Sequence, residues 1–276
     1  SYYQEIILEG KNFEAGKAYR LAANMASEEE SPTVIDVATA GTFEETIRNE
    51  YGSKCLELTS LKVIGNLNGS DIRFIRKMAG RKEDGSSFAS GNNLLHLDLT
   101  QANIVAGGDY YYVTKTGTKY YTENNVAGDF MFYFCNLKTI KFPQTITKLG
   151  KQVCSHMPTS QGNENIAVGT DHIGTFTSIE IPSEVTIVDE YALAWNQNLS
   201  SITLPDNVKS LGFGAFYRCD ALTSINIPDS VESCPCFLHC HGLQYVRLSE
   251  NPKFVYMGYG VFIGCRSLKT LTIPAN

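Results

Sequence analysis

The chain has 276 residues, 43% apolar and 19% charged, enough to build a core and too apolar for a disordered chain. Its net charge is −6 and no Lys/Arg run exceeds two residues, which argues against a nucleic-acid partner. No apolar stretch approaches the roughly 18 residues of a membrane-crossing helix, and eight cysteines are too few for a disulfide scaffold.

The first residues stand apart. "QEIILEG" and "KAYRLAANM" are strand-like, "KNFEAG" joins them, and "SEEESP" follows as a polar linker. Residues 1–33 are therefore read as a hairpin segment with two meanings open: a cap on the adjoining repeats, or the last strands of a preceding domain. Ser1 is not Met, so the expectation is a removed upstream segment such as a secretion signal.

Residues 34–136 read as a capping region with degenerate repeats. "TFEETIRNEYG" predicts a helix with Thr42 as N-cap, Glu45 completing a capping box and Gly52 as the stop. "SDIRFIRKMAG" predicts a second, with Ser70 as cap, Ile72, Ile75 and Met78 on its apolar face, and Gly80 at its end. "LTSLKV" from Leu58 and "LLHLDL" from Leu94 match short strands. "DYYYVTKTGTKYYTENN" places aromatic runs either side of Gly117, which predicts a hairpin. Alternation then sends about half of Tyr110, Tyr111, Tyr112, Tyr120 and Tyr121 inward. These rings are either cover for the core or an aromatic contact platform for protein or glycan.

From residue 137 the chain repeats. Phe176, Leu199, Leu222, Leu243 and Leu268 open successive units at spacings of 23, 23, 21 and 25 residues, inside the range of roughly 20–29 for leucine-rich repeats. Each unit reads L-x-x-I-x-L-P-x-x-V-x-x-L-x-x-x-A-F-x-x-C. The I-x-L portion alternates as a strand, and the Pro, which cannot donate to a ladder, ends it. No unit can bury its own apolar face, so the units must stack. Residues 155–175 interrupt the frame as a long insertion, a place where function often sits.

The expected fold is α/β: a curved right-handed leucine-rich-repeat solenoid, with one parallel sheet of about eight short strands and irregular, partly helical returns. "TIPAN" ends without a polar capping unit, so continuation beyond Asn276 is expected.

"ESCPCFLHCHGL" crowds five soft ligands into one rung. Aligned to the regular unit, Cys234, Cys236 and Cys240 fall on the core positions of Leu211, Ala215 and Cys219, while His239 and His241 fall on the surface positions of Arg218 and Asp220. A zinc site needs four converging ligands, and these face opposite ways. Buried free thiols are the favoured reading, with a Cys219–Cys240 disulfide between adjacent rungs as the alternative and metal the weakest. His96, His156 and His172 are isolated, and no nucleophile, zinc-protease or phosphate-cradling motif occurs. No cofactor, metal or catalytic residue is expected.

Outward strand positions are mostly short hydroxyl and amide groups; Tyr245 and Arg247 are the exception and the candidate contact pair, since interface hot spots lean on such residues. Asp229-Ser230-Val231 matches a short O-glycosylation acceptor of Bacteroidetes, although the repeat frame already demands Val231.

The unit "LTSINIPDSV…F…C" resembles the BspA-like, or treponemal-type, leucine-rich repeat of bacterial surface antigens, over residues 137–276. "GNLNGSDIRFIRKMAG" and "DYYY…YYTENNVAGDFMFYFC" resemble the portion that precedes such repeats in gut Bacteroidetes, and "NFEAGKAYRL" the closing strand of fimbrillin-like β-sandwich domains. The resemblance implies a secreted or surface protein, lipid-anchored through a removed N-terminal segment in some arrangements, without enzymatic activity. It implies a binding or adhesion role toward host matrix or mucin-type macromolecules or other bacterial surface proteins. A structural spacer presenting a neighbouring domain is the alternative.

Overall fold

A computed structural model describes residues 31–84, 86, 92–157, 174–254 and 260–273. The expected hairpin in residues 1–30, most of the 155–175 insertion with His172, and the last three residues lie outside them. In chain order the elements are β1 (Thr33–Val37), α1 (Phe43–Tyr51), a 3₁₀ segment (Gly52–Glu57), β2 (Ser60–Leu67), α2 (Gly69–Met78), β3 (His96–Ile104), β4 (Gly107–Val113) and β5 (Lys119–Thr122). Short strands follow: β6 (Val126–Ala127), β7 (Thr139–Lys141), β8 (Lys148–Leu149), β9 (Ser178–Glu180), β10 (Ile187–Val188), β11 (Ser210–Leu211), β12 (Ser224–Asn226), β13 (Tyr245–Arg247) and β14 (Thr270–Thr272).

The first strand of each unit stacks in parallel on its neighbour. Ile35, Val63, Leu97, Ile140 and Ile179 point inward along β1-β2-β3-β7-β9, and Ile225, Val246 and Leu271 along β12-β13-β14. The expected single sheet is thus two sheets, of five and three strands. Ser201 to Thr203, the rung between them, makes no ladder bond. The local sequence "LSSITLP" is as strand-prone as its neighbours, so the break is a tertiary outcome.

The return segments are more regular than their sequences suggest. After each Pro a tight turn closes, with the N–H groups of Ile146, Val185, Val208 and Val231 donating to Pro143, Pro182, Pro205 and Pro228 at 3.0–3.2 Å. A second parallel ladder, β6-β8-β10-β11, then forms from two-residue strands. A third runs through the terminal turns, where alternate N–H groups donate to the next rung, as from Leu193 to Ala215 and from Trp195 to Tyr217. The turn requires positive φ at recurring positions: Phe134, Trp195, Arg218 and His239 lie at 57–63°. Non-Gly residues hold that conformation only where surrounding contacts enforce it, and here the inter-rung hydrogen bonds do so.

The core is continuous through the rungs. Phe216, Phe237 and Phe262 stack at 5.9 and 5.8 Å between ring centroids. Each fully buried ring of this kind contributes about 1.5–3 kcal/mol. Close stacking also dictates Gly212, where a Cβ would sit 2.4 Å from the Glu190 amide nitrogen of the previous rung.

Both expected helices form, with different caps. Thr42 precedes α1, but its hydroxyl donates to Thr39 and no capping box forms. The start of α1 is held instead by Asp71 of α2, which accepts from Gly41 N at 2.6 Å and Phe43 N at 2.9 Å. Asn68, not Ser70, caps α2, in a box with the same Asp71. Asn68 lies two residues upstream of the segment read as helical, so local pattern missed it. Ile72, Ile75 and Met78 are fully buried as expected, and Gly52 and Gly80 take positive φ at the helix ends.

Candidate binding surfaces

The Cys/His rung resolves into packing. Cys234, Cys236 and Cys240 are buried as expected. However, Cys234 and Cys236 form a disulfide rather than remaining free. The two residues deleted from this rung bring their Cα atoms to 5.3 Å, inside disulfide range, a closeness that alignment to a full-length unit hides. Cys219 and Cys240 are both free. His239 and His241 are half-buried rather than turned to solvent, because the His239 ring packs 5.7 Å from Tyr217 and His241 Nδ1 lies 3.0 Å from Asp220 Oδ1. Among the described residues no group of three His, Cys, Asp or Glu could hold a metal ion.

The core cysteines carry a periodic hydrogen bond. The thiol of Cys219 donates to Leu193 O, that of Cys240 to Phe216 O and that of Cys265 to Phe237 O, at 2.9–3.3 Å. Asn196, which replaces Cys in its unit, does the same with its amide, donating to Cys154 O at 3.0 Å. Each therefore ties its rung to the preceding one. Burial pushes the Cys219 thiol up to about 12 and those of Cys135, Cys154 and Cys240 above their ordinary value, so none of these supplies a thiolate at neutral pH.

The tyrosine hairpin divides between core and surface. β4 and β5 pair antiparallel around Gly117 at φ 86°. Tyr111 and Tyr112 are both buried although adjacent, because the β4–β5 register shifts between Gly107 and Tyr112. Tyr111 donates from its hydroxyl to Asp129 O at 2.8 Å, and Tyr112 stacks on Phe130 at 5.0 Å. Tyr120 is half-buried against Phe130. Tyr110 and Tyr121 face outward with rings 6.4 Å apart, and Lys119 Nζ lies 4.4 Å from the Tyr110 centroid.

On the strand face, outward charges alternate across the five-stranded sheet, the register running Lys62, Asp98, Lys141, Glu180. Lys141 Nζ and Glu180 Oε2 are 3.8 Å apart. His96 shares this face, with Nδ1 2.9 Å from Thr139 Oγ1. Tyr245 is 49% exposed. Arg247 is already engaged, donating from both Nη atoms to Asp229 and from Nη2 to Glu250 at 2.8 Å. Ser230 of the glycosylation match donates its hydroxyl to Val208 O.

One run of partly exposed aromatic surface was not legible from sequence. On the terminal turns Phe213, Tyr191, Tyr217, Trp195, His239 and His241 form one chain of ring contacts. Phe213 meets Tyr191 at 5.6 Å, Tyr191 meets Tyr217 at 6.2 Å, and Tyr217 meets Trp195 and His239 at 6.4 and 5.7 Å. His239 meets His241 at 6.0 Å, and the Arg218 guanidinium sits 4.8 Å over the Trp195 ring. Phe213 is 41% exposed and the other five rings are half-buried. The available signal was aromatic residues or histidine at outward turn positions in three successive units.

Comparison with known proteins agrees with this architecture. The family model described as the BspA type leucine rich repeat region matches residues 81–160 and 171–276, in six copies. No curated protein matches the chain. Among solved structures, a leucine-rich repeat protein from Bacteroides ovatus is 26% identical with a TM-score of 0.39, over 59% of this chain and 38% of that one. The chain thus spans under two fifths of that protein. A leucine rich repeat protein of T. pallidum is 21% identical, TM-score 0.36, over 53% and 72%. One from Eubacterium ventriosum is 17% identical, TM-score 0.35, over 81% and 68%.

Proposed function

Because this chain belongs to the BspA-type leucine-rich repeat family, we propose that it is a non-enzymatic binding module that engages other proteins through its turn-edge aromatic ridge. Repeats of this kind generally mediate protein–protein interaction. In this reading the module is an adhesin, placed outside the cell or on the outer-membrane surface, and its partners are host matrix or mucin-type glycoproteins or surface proteins of other bacteria. The outward pair Tyr110 and Tyr121 and the exposed Tyr245 serve as secondary contacts, while Tyr111, Tyr112 and Tyr120 serve the core beneath.

One observation carries the reading: six rings from three successive units touch in sequence on the surface, and no fold requirement places aromatic residues at outward turn positions. Half-exposed aromatic groups in contact are what interface hot spots are made of. The spacer reading is favoured by the strand face, whose short hydroxyl groups and engaged Arg247 offer little affinity.

Immobilised full chain should capture purified matrix glycoproteins or mucins with a Kd in the micromolar range. Phe213→Ser with Tyr217→Ser should lower capture at least tenfold, whereas Tyr245→Ala with Arg247→Ala should lower it less than threefold. Equal loss from both pairs would remove the ridge from the mechanism, and no capture by the parent chain would favour the spacer.

A further inference from the structure

The ladder of the terminal turns sets three donor side chains in a row. Trp195 N donates to Tyr217 O, Arg218 N to Leu238 O and His239 N to Ile263 O. Trp195, Arg218 and His239 therefore occupy one position of three successive rungs, roughly 4.8 Å apart. Gly264 is the fourth of the column, and a Cβ there would lie 2.5 Å from His239 Nδ1, so the row ends at His239. Each of the three side chains carries at least one N–H donor. Trp195 Nε1 and Arg218 Nε are buried without a hydrogen-bond partner. Neither the Arg218 guanidinium nor the His239 ring forms a hydrogen bond or ion pair among the described residues. Unmet buried donors are rare in folded proteins and call for a reason.

The acids of the same turns are engaged elsewhere. Asp220 lies 3.0 Å from His241, Asp189 2.8 Å from Lys148 and Glu190 2.9 Å from Lys151. The ridge thus carries a positive charge, Arg218, that nothing in its own turns neutralises. The guanidinium is also held in place, 4.8 Å over the Trp195 ring, so pairing it costs little further freedom. The rings favour a polypeptide over a sugar. From Phe213 through Tyr191, Tyr217 and His239 to His241, neighbours meet at 76–88°, edge to face. Arg218 covers one face of Trp195. The result is a corrugated surface that side chains can fill, not the flat shelf on which a sugar ring stacks.

We propose that the ridge selects an acidic segment of its partner protein, with a Glu or Asp carboxylate of that segment paired to Arg218. The N–H donors of Trp195 and His239 flank the carboxylate, and apolar side chains of the segment fill the gaps between Tyr191, Tyr217 and Phe213. Charge-assisted pairing to a fixed guanidinium supplies the selectivity, and the rings supply the contact area. This inference rests on the reading of the ridge as the contact surface.

The test titrates the full chain with acetyl-Glu-Leu-Glu-Phe-Glu-Leu-Glu-amide and with its Gln and Lys counterparts. Trp195, the sole tryptophan, reports binding by its fluorescence. The Glu peptide should bind roughly tenfold more tightly than the Gln peptide, and the Lys peptide least tightly. Arg218→Gln should abolish that preference while binding of the Gln peptide and the thermal midpoint stay constant. Arg218→Lys, which keeps the charge, should retain most of the preference. Equal binding of the Glu and Gln peptides would overturn the proposal. So would a preference that survives Arg218→Gln, or binding of heparin but of no peptide. If Glu and Gln peptides bound equally and Phe213→Ser with Tyr217→Ser released both, the ridge would stand as contact surface and only its acidic preference would fall. A Glu preference that depends on Arg218 but not on Phe213 and Tyr217 would uphold the acidic site and remove the aromatic contact.

Discussion

The helix-bearing section around α1 and α2 and the repeats from residue 137 both bury polar groups, and they bond them in opposite ways. In the first, the solutions occur once. Asp71, 1% exposed, accepts three backbone N–H groups from Gly41, Phe43 and Asn68 and so sets the starts of both helices. Arg76, fully buried, donates from Nη1 to Phe130 and Met131 and lies 5.2 Å over the Tyr112 ring. In the repeats one solution recurs: a thiol or amide at the same position of four successive units reaches back to a carbonyl of the preceding rung. A unique network concentrates its energy in single residues, whereas a periodic one spreads it.

Asp71→Ala tests the concentrated half and should have the largest effect. It strands three amides that now meet a carboxylate, and hydrogen bonds to charged groups are each worth more than neutral ones, so a loss of about 4 kcal/mol is expected. Urea unfolding with an unchanged slope is the measurement. A loss below about 1 kcal/mol would break the contrast.

His156 is the exception that sharpens it, a one-off buried group inside the repeats. Its Nε2 lies 3.2 Å from Cys135 O, and burial, with the Arg81 guanidinium adding to it, holds its pKa down to about 4 from 6.5. The unfolded chain therefore takes up the proton first. Stability is full above about pH 6.5 and falls as pH drops toward 4, by about 3 kcal/mol in all. The difference in unfolding free energy between the parent chain and His156→Gln, followed from pH 7 to 4, should show that slope; a constant difference would refute it.

The smallest effects should come from the periodic positions. Cys219→Ala and Cys240→Ala each remove one sulfur and one bond to the preceding rung, a cost of about 1–2 kcal/mol. The two losses should agree within about 0.5 kcal/mol, because the environments repeat. Unequal values would show that the ladder is not energetically periodic.

The repeat frame was legible from Leu, Ile, Pro and Val at fixed offsets, because stacking imposes the same inward positions on every unit. That frame also placed Cys240 and Phe237 inside, and it aligned His239 with Arg218, which share a φ of 57°. Half of the tyrosine hairpin was legible too: Gly117 and the two-sided disposition of rings followed from strand alternation, but the register shift that buries both Tyr111 and Tyr112 did not. The ridge went unseen because the turns look irregular in sequence, and only the third hydrogen-bonded ladder gives their side chains fixed directions.

What the sequence by itself determined is whatever depends on local spacing: the repeating unit, its strand and its Pro stop, the inward residues, and the positions of both helices. Tertiary structure alone decided the cap that Asp71 supplies across 28 residues to Phe43, the Cys234–Cys236 bond, the ring contacts between turns and the unpaired rung at 201–204. The physical reason is common to all four. Each depends on how one segment meets another in space, through a hydrogen bond, a deletion-shortened path or an inter-rung contact, and no periodicity within a single unit encodes that meeting.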